Sequence, residues 1–196
     1  MPISPTLSPV FAPANEGFWV LEQNFSVSSS SSSFFGASIA VDAGITALVG
    51  ATGTSEVFVF DRSPNSESNP WLFTQSLLGQ PDSLFGNSVA LLSNNAVVGA
   101  NNEGIKRYFT NSISKRLNKI KFSDNSIGAA YIFTSNALSQ WSQQQRLSPT
   151  DSTAGMQFGL SVSVNSSWVF VGAPFATGAC YKCRGFAVEF QCLCAD

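Results

Sequence analysis

Three short motifs recur in the same order along this 196-residue chain, and a chain that repeats itself builds its core between copies rather than inside one. The first is Phe-Gly followed by a small-polar, apolar alternation: FGASIAV from Phe35, FGNSVAL from Phe85 and FGLSVSV from Phe158. The second is an apolar run closed by Gly-Ala, at Gly50 and Ala51, at Gly99 and Ala100, and at Gly172, Ala173 and Pro174. The third is Trp, three residues, Gln, one residue, then Leu or Phe: WVLEQNF from Trp19, WLFTQSL from Trp71 and WSQQQRL from Trp141. A weaker fourth element is EVFVF ending at Phe60, GAAYIF ending at Phe133 and GFAVEF ending at Phe190.

The spacings agree among themselves. From the Phe of Phe-Gly to the Gly of Gly-Ala is 15, 14 and 14 residues (35 to 50, 85 to 99, 158 to 172). The Phe-Gly starts lie 50 and then 73 residues apart, so the second copy carries about twenty extra residues between Ala100 and Gly128. Each element is short, apolar-alternating and bounded by Gly, Pro, Asn, Asp or Ser, which predicts strands. Four strands per repeat of about fifty residues fit a β-propeller blade, whose faces pack on its neighbours. The glycines suit close backbone approach and turns out of an inner strand.

Taken together, Phe-Gly through Val-Gly-Ala-Pro with the Gly-Ala-Ala-Tyr-Ile-Phe and Trp-x3-Gln-x-Leu strands resemble the FG-GAP repeat of the integrin α-subunit N-terminal β-propeller and its relatives. The likeness covers about residues 18–190 and rests on Phe35, Gly36, Gly50, Ala51, Phe85, Gly86, Gly99, Ala100, Phe158, Gly159, Gly172, Ala173 and Pro174. It implies a propeller of about seven blades, extracellular or at the cell surface, that binds proteins or other ligands. The expected fold is all-β: a partial β-propeller of about three four-stranded antiparallel blades, a fragment of a seven-bladed ring. Repeats are expected at about 35–77, 85–147 with an insert at 101–127, and 158–190, after an N-terminal tail at 1–17. Strand counting gives one lone Trp strand, two full repeats and three strands of another, against the roughly four to eight blades of closed propellers.

Calcium-binding relatives use an Asp-x-Asp-x-Asp-Gly type loop between Phe-Gly and Gly-Ala, where carboxylates supply hard oxygen ligands. The corresponding loops here are VDAGIT, LSNNA and VNSSW, and Asp42 is their single carboxylate. No bound calcium is therefore expected, and no other cofactor.

With no histidine in the chain, every mechanism that needs an imidazole is excluded, including Ser-His-Asp and Cys-His hydrolysis and His-ligated zinc. The carboxylates Asp61, Glu67, Asp82, Asp124 and Asp151 fall in expected loops, without paired spacing for acid–base work. The pI near 5.0 and the net charge of −2 argue against global steering toward nucleic acid. The insert holds six of the ten basic residues, Lys106, Arg107, Lys115, Arg116, Lys119 and Lys121. It admits a nucleic-acid reading with Tyr108, Phe109 and Phe122, or a basic amphipathic helix with Ile113, Leu117 and Ile120 on one face. Because it interrupts a repeat cleanly, a solvated loop, a lineage-specific insertion or a translated intron is favoured.

The cysteines read C-x2-C-x8-C-x-C from Cys180 to Cys194. If Gly185–Phe190 is a strand, Cys180 and Cys183 lie about 20 Å or more from Cys192 and Cys194, which excludes one four-thiolate zinc site. A local disulfide is left open. The serine tract Ser28–Ser33 reads as a flexible loop, and Asn24-Phe25-Ser26 and Asn165-Ser166-Ser167 fit the glycosylation sequon. Trp19, Trp71 and Trp141 are expected to pack between blades. No apolar run reaches the roughly 20 residues of a spanning helix, and the start lacks the basic and apolar regions of a signal peptide. As written the chain would stay cytosolic, whereas the resemblance implies the cell surface.

The expected function is that of a non-enzymatic protein- or ligand-binding, adhesion-like module. Its partner would be a protein or other macromolecule, with self-association through exposed sheet edges. The alternatives are the propeller part of a larger hydrolase, or a truncated gene product without independent function.

Overall fold

A computed structural model describes residues 23–26, 33–42, 45–62, 70–104, 107–108, 121–122, 126–149, 153–176, 180–186 and 189–194. Among these residues the regular elements are all β-strands, in three four-stranded antiparallel sheets and one short hairpin. The first sheet runs β1 (Phe35–Asp42), β2 (Thr46–Ala51), β3 (Glu56–Arg62) and β4 (Trp71–Leu78), each paired with the next. The second joins β5 (Val89–Leu92), β6 (Asn95–Ala100), β9 (Ala129–Ser135) and β10 (Trp141–Leu147). Its missing step, from β6 to β9, holds the hairpin of β7 (Arg107–Tyr108) and β8 (Lys121–Phe122). The third comprises β11 (Ser161–Val164), β12 (Trp168–Gly172), β13 (Cys180–Phe186) and β14 (Glu189–Cys194).

Burial follows the position of each strand in its sheet. The middle strands β2, β3, β6 and β9 are buried through runs of consecutive residues: β6 and β9 meet a sheet on each face, and β2 and β3 meet the second sheet on one face and the Phe25, Trp71 and Phe73 side chains on the other. Their Val, Leu, Ile, Phe and Ala content matches that position. Outer strand β4 alternates instead, half-buried and exposed.

The apolar core is distributed over the gaps between sheets. Leu48, Val57, Val59 and Leu77 of the first sheet meet Phe85, Val98, Tyr131, Phe133 and Trp141 of the second. On the other side of the second sheet, Val97, Ala130, Ile132 and Leu147 meet Phe158, Val169, Val171 and Tyr181. A third cluster, Ala47, Val49, Phe58 and Phe60, lies on the far face of the first sheet under Phe25, Trp71 and Phe73. Inner strand β5 lies beside both β1 and β11, so the three sheets stand as blades with their first strands side by side.

The third blade corrects the sequence expectation. Four strands form it instead of three, and Gly185–Phe190 is not one strand: β13 ends at Phe186 and β14 begins at Glu189. Pairing decides this. Val171 opposes Tyr181 as Val98 opposes Tyr131 and Val49 opposes Phe58, so Tyr181 fills the aromatic position that the pattern had placed further on. The separation argued for the cysteines fails with it, because the antiparallel hairpin sets Cys183 directly opposite Cys192. Cys183 is disulfide-bonded and fully buried.

Trp141 lies in the gap between the first two blades and Trp71 on the far face of the first, with Phe25 and Phe73, whereas Trp19 falls outside the described residues. The same is true of most of the insert, including Ile113, Leu117 and Ile120, and of residues 1–17 and Ser28–Ser32. Among the described residues no helix is long and apolar enough to cross a membrane.

Candidate functional site

Each Phe-Gly is introduced by a residue held in the left-handed region: Phe34 at φ 50, Leu84 at φ 53 and Gln157 at φ 53. The glycines follow at φ +90 for Gly36, +86 for Gly86 and +92 for Gly159, a conformation that only glycine adopts without strain. This double kink turns the Phe ring into its own blade. Phe85 lies edge-on to Tyr131 and Phe133, Phe158 to Tyr181, and Phe35 to Phe58 and Phe60. It also brings the glycine N–H onto the Gly-Ala turn, where Gly86 donates to the Gly99 carbonyl at 2.9 Å and Gly159 to that of Gly172 at 3.0 Å.

The glycine carbonyl then reaches the preceding blade. A Cβ on Gly50 would stand 2.0 Å from the Gly86 oxygen, and one on Gly99 would stand 2.0 Å from the Gly159 oxygen. Two main chains therefore touch at each seam, which no side chain at these positions permits. A serine three residues after the Phe completes the contact: Ser38 Oγ donates to the Gly86 carbonyl at 2.7 Å, and Ser88 Oγ to that of Gly159 at 2.9 Å. Ala51, Ala100 and Ala173 are wholly buried beside these glycines, and Pro174 is exposed in the turn that follows.

At the outer rim, the Gln of the Trp motif makes the second contact. Gln75 donates from Nε2 to the Trp141 carbonyl at 2.8 Å and accepts the Trp141 N–H at 2.9 Å. Gln23 holds Trp71 in the same way, at 3.0 Å in both directions. The sequence motif contained these partners, but nothing local in it shows that the Gln binds the backbone of the next blade. Ser38 and Ser88 were equally missed, although every Phe-Gly has Ser at the third position after Phe.

With the motif residues occupied at the seams, side-chain chemistry concentrates in the loops. Among the described residues, an open cleft of about 430 Å³ lies at the seam of the first two blades, lined by Gln80, Pro81, Asp82, Ser83, Asn102, Glu103 and Gly104. Its two walls are tied together: Asn102 N–H donates to the Ser83 carbonyl at 3.0 Å and its Nδ2 to the Asp82 carbonyl at 3.1 Å. Glu103 is fixed from below. Its Oε1 pairs with Arg146 Nε at 2.7 Å, and its Oε2 accepts the Tyr131 hydroxyl at 2.5 Å. Burial, and then the hydrogen bond to the Glu103 carboxylate and its charge, push the Tyr131 phenol up to about 12. The cleft thus offers acidic and amide groups on a rigid frame, suited to polar or cationic groups of a ligand.

The loops compared with calcium sites serve other contacts. The Ser93 N–H donates to Asp42 Oδ2 at 2.6 Å, joining the first two blades, and Asn165 Oδ1 accepts the Ser167 and Trp168 N–H groups at 2.9 and 2.8 Å. Asn165 is exposed.

A family model described as FG-GAP repeat matches residues 141–182. The match starts on β10 of one blade and ends in β13 of the next, so it spans a seam with its Phe-Gly and Gly-Ala-Pro. No curated protein matches the chain.

Proposed function

We propose that this chain, which carries an FG-GAP repeat, is a non-catalytic binding module: a propeller-type array over about residues 18–190 that presents the cleft between its first two blades to a protein ligand. The observation that carries this reading is the division of labour at the seam. The repeated residues are committed to main-chain contacts, while the non-repeated loop residues Asp82, Asn102 and Glu103 line a tied-down polar cleft. Such a site recognises; it holds acceptors in place for lysine, arginine or amide groups of a partner. Its acidic side chains disfavour a phosphate backbone. The Cys183 disulfide and the exposed Asn165 sequon suit an oxidising, extracellular setting, in line with an adhesion-like role.

Panning a displayed peptide library against the immobilised chain tests the reading. Selected clones should carry basic residues and lose binding roughly tenfold or more with Asp82→Arg, the scale of a lost hydrogen bond to a charged group. They should be indifferent to Gln144→Arg on the far rim. Clones insensitive to Asp82→Arg would remove the cleft as the site. A hydrolase activity abolished by replacing one carboxylate would overturn the non-catalytic assignment.

A further inference from the structure

The two outermost blades carry opposite halves of the seam that the structure builds twice inside the chain. On the first blade the unused half is the Phe-Gly side. Val89 and Leu91 of β5, and Val162 and Val164 of β11, pack against the preceding blade. Their counterparts by strand pairing, Ile39 and Val41 of β1, are 64% and 54% exposed. Phe34 beside them is 65% exposed, and Gly36 is exposed where Gly86 and Gly159 are buried.

On the third blade the unused half is the receiving side. Ser161 occupies the place of Ser38 and Ser88, yet it is exposed. A Cβ built on Gly172 would find its nearest atoms all in Ser161, where Gly50 and Gly99 meet a glycine carbonyl of the next blade. We propose that these halves join between molecules: the Phe34–Val41 edge of a second copy docks on β11 and Gly172 of the first, with the Gly36 carbonyl accepting from Ser161 Oγ. The assembly is head to tail, a heterologous contact that propagates or closes into a ring.

The contact is confined to the inner strands. On the first blade, Gln23 and Phe25 already take the outer places that Gln75 and Leu77 fill at the next seam. On the third blade, Lys182 is exposed where Val59 and Ile132 are buried, and its ammonium lies 3.7 Å from the Trp168 ring centroid, which gives the outer face a charge. A partial seam of this kind associates more weakly than the internal ones, so assembly depends on concentration.

The inference rests on reading the sheets as blades of a binding module, and sedimentation velocity of the full chain over a wide concentration range tests it. The sedimentation coefficient should rise with concentration. Ile39→Lys and Ser161→Arg, both at exposed positions, should each abolish the rise while leaving the thermal midpoint in dilute solution unchanged. An equimolar mixture of the two variants should restore association, and stop at dimers, because each retains one intact half. A wild-type chain that stays monomeric, a variant that still associates, or a mixture that remains monomeric would each overturn the proposal. None of these outcomes bears on peptide capture by the cleft, which the Asp82→Arg comparison reads separately.

Discussion

A single carbonyl oxygen resting on a glycine Cα sets the tolerance of each seam. Gly36 and Gly159 share the same backbone conformation, but space around them differs: a Cβ on Gly36 meets nothing within 4 Å, whereas one on Gly159 would stand 2.1 Å from the Ala129 carbonyl. Gly36→Ala should cost about 1–2 kcal/mol, the left-handed penalty alone. Gly159→Ala adds a main-chain clash and should cost about 1–3 kcal/mol more. Denaturant unfolding in dilute solution compares the two, and equal losses would mean that the carbonyl contact does not hold the seam. Tyr131 gives a pH signature. Its folded pKa of about 12 lies above the ordinary 10.0, so the neutral phenol is the form the fold prefers. That contribution is complete below pH 10 and disappears as pH rises through about 12. The thermal midpoint should fall across this window, and more steeply in the native chain than in Tyr131→Phe; parallel curves would contradict the assignment.

Outer strands carry their seam contact through a bulge. Thr74 in β4 and Gln144 in β10 each interrupt the pairing one residue before the motif Gln, at the same distance from Trp71 and Trp141. An unpaired residue there bends the strand and redirects the side chain that follows. Gln75→Ala should cost about 1–3 kcal/mol, because it strips both partners from the Trp141 backbone, and should speed hydrogen exchange of the Trp141 amide. An unchanged Trp141 amide would show that the contact is incidental. The motif spacing made the strands of the first two blades legible. Its failure in the third blade has a physical cause: GFAVEF has the alternation of a strand, and periodicity is blind to the pairing of Phe186 with Glu189. Only cross-strand pairing shows Tyr181 in the aromatic place. Hydrogen bonds from Gln75 to Trp141 span 66 residues and leave no local pattern, so the role of the Gln could not be read. Nor could the cleft, since Asp82, Asn102 and Glu103 belong to no repeated motif.

At the scale of the molecule, stability accrues from one gap to the next, as in other repeat arrays. The second blade has a neighbour on both faces, and its β6 and β9 amides should exchange slowest. Inner strand β1, with Ile39 and Val41 in water, should exchange faster than β5. Reduction of the Cys183 disulfide should raise exchange in β13 and leave β6 nearly unchanged, since a cross-link acts on the blade that contains it. Exchange mapped by mass spectrometry with and without reductant checks both, and uniform protection would show one cooperative block in place of coupled blades. The seam between blades is written mostly in main-chain atoms plus Gly, Ser and Gln, and a copy of one repeat inherits both of its sides. An array of this kind can therefore lengthen by duplication without a new interface having to evolve, leaving loops such as the one around Asp82 to diverge independently.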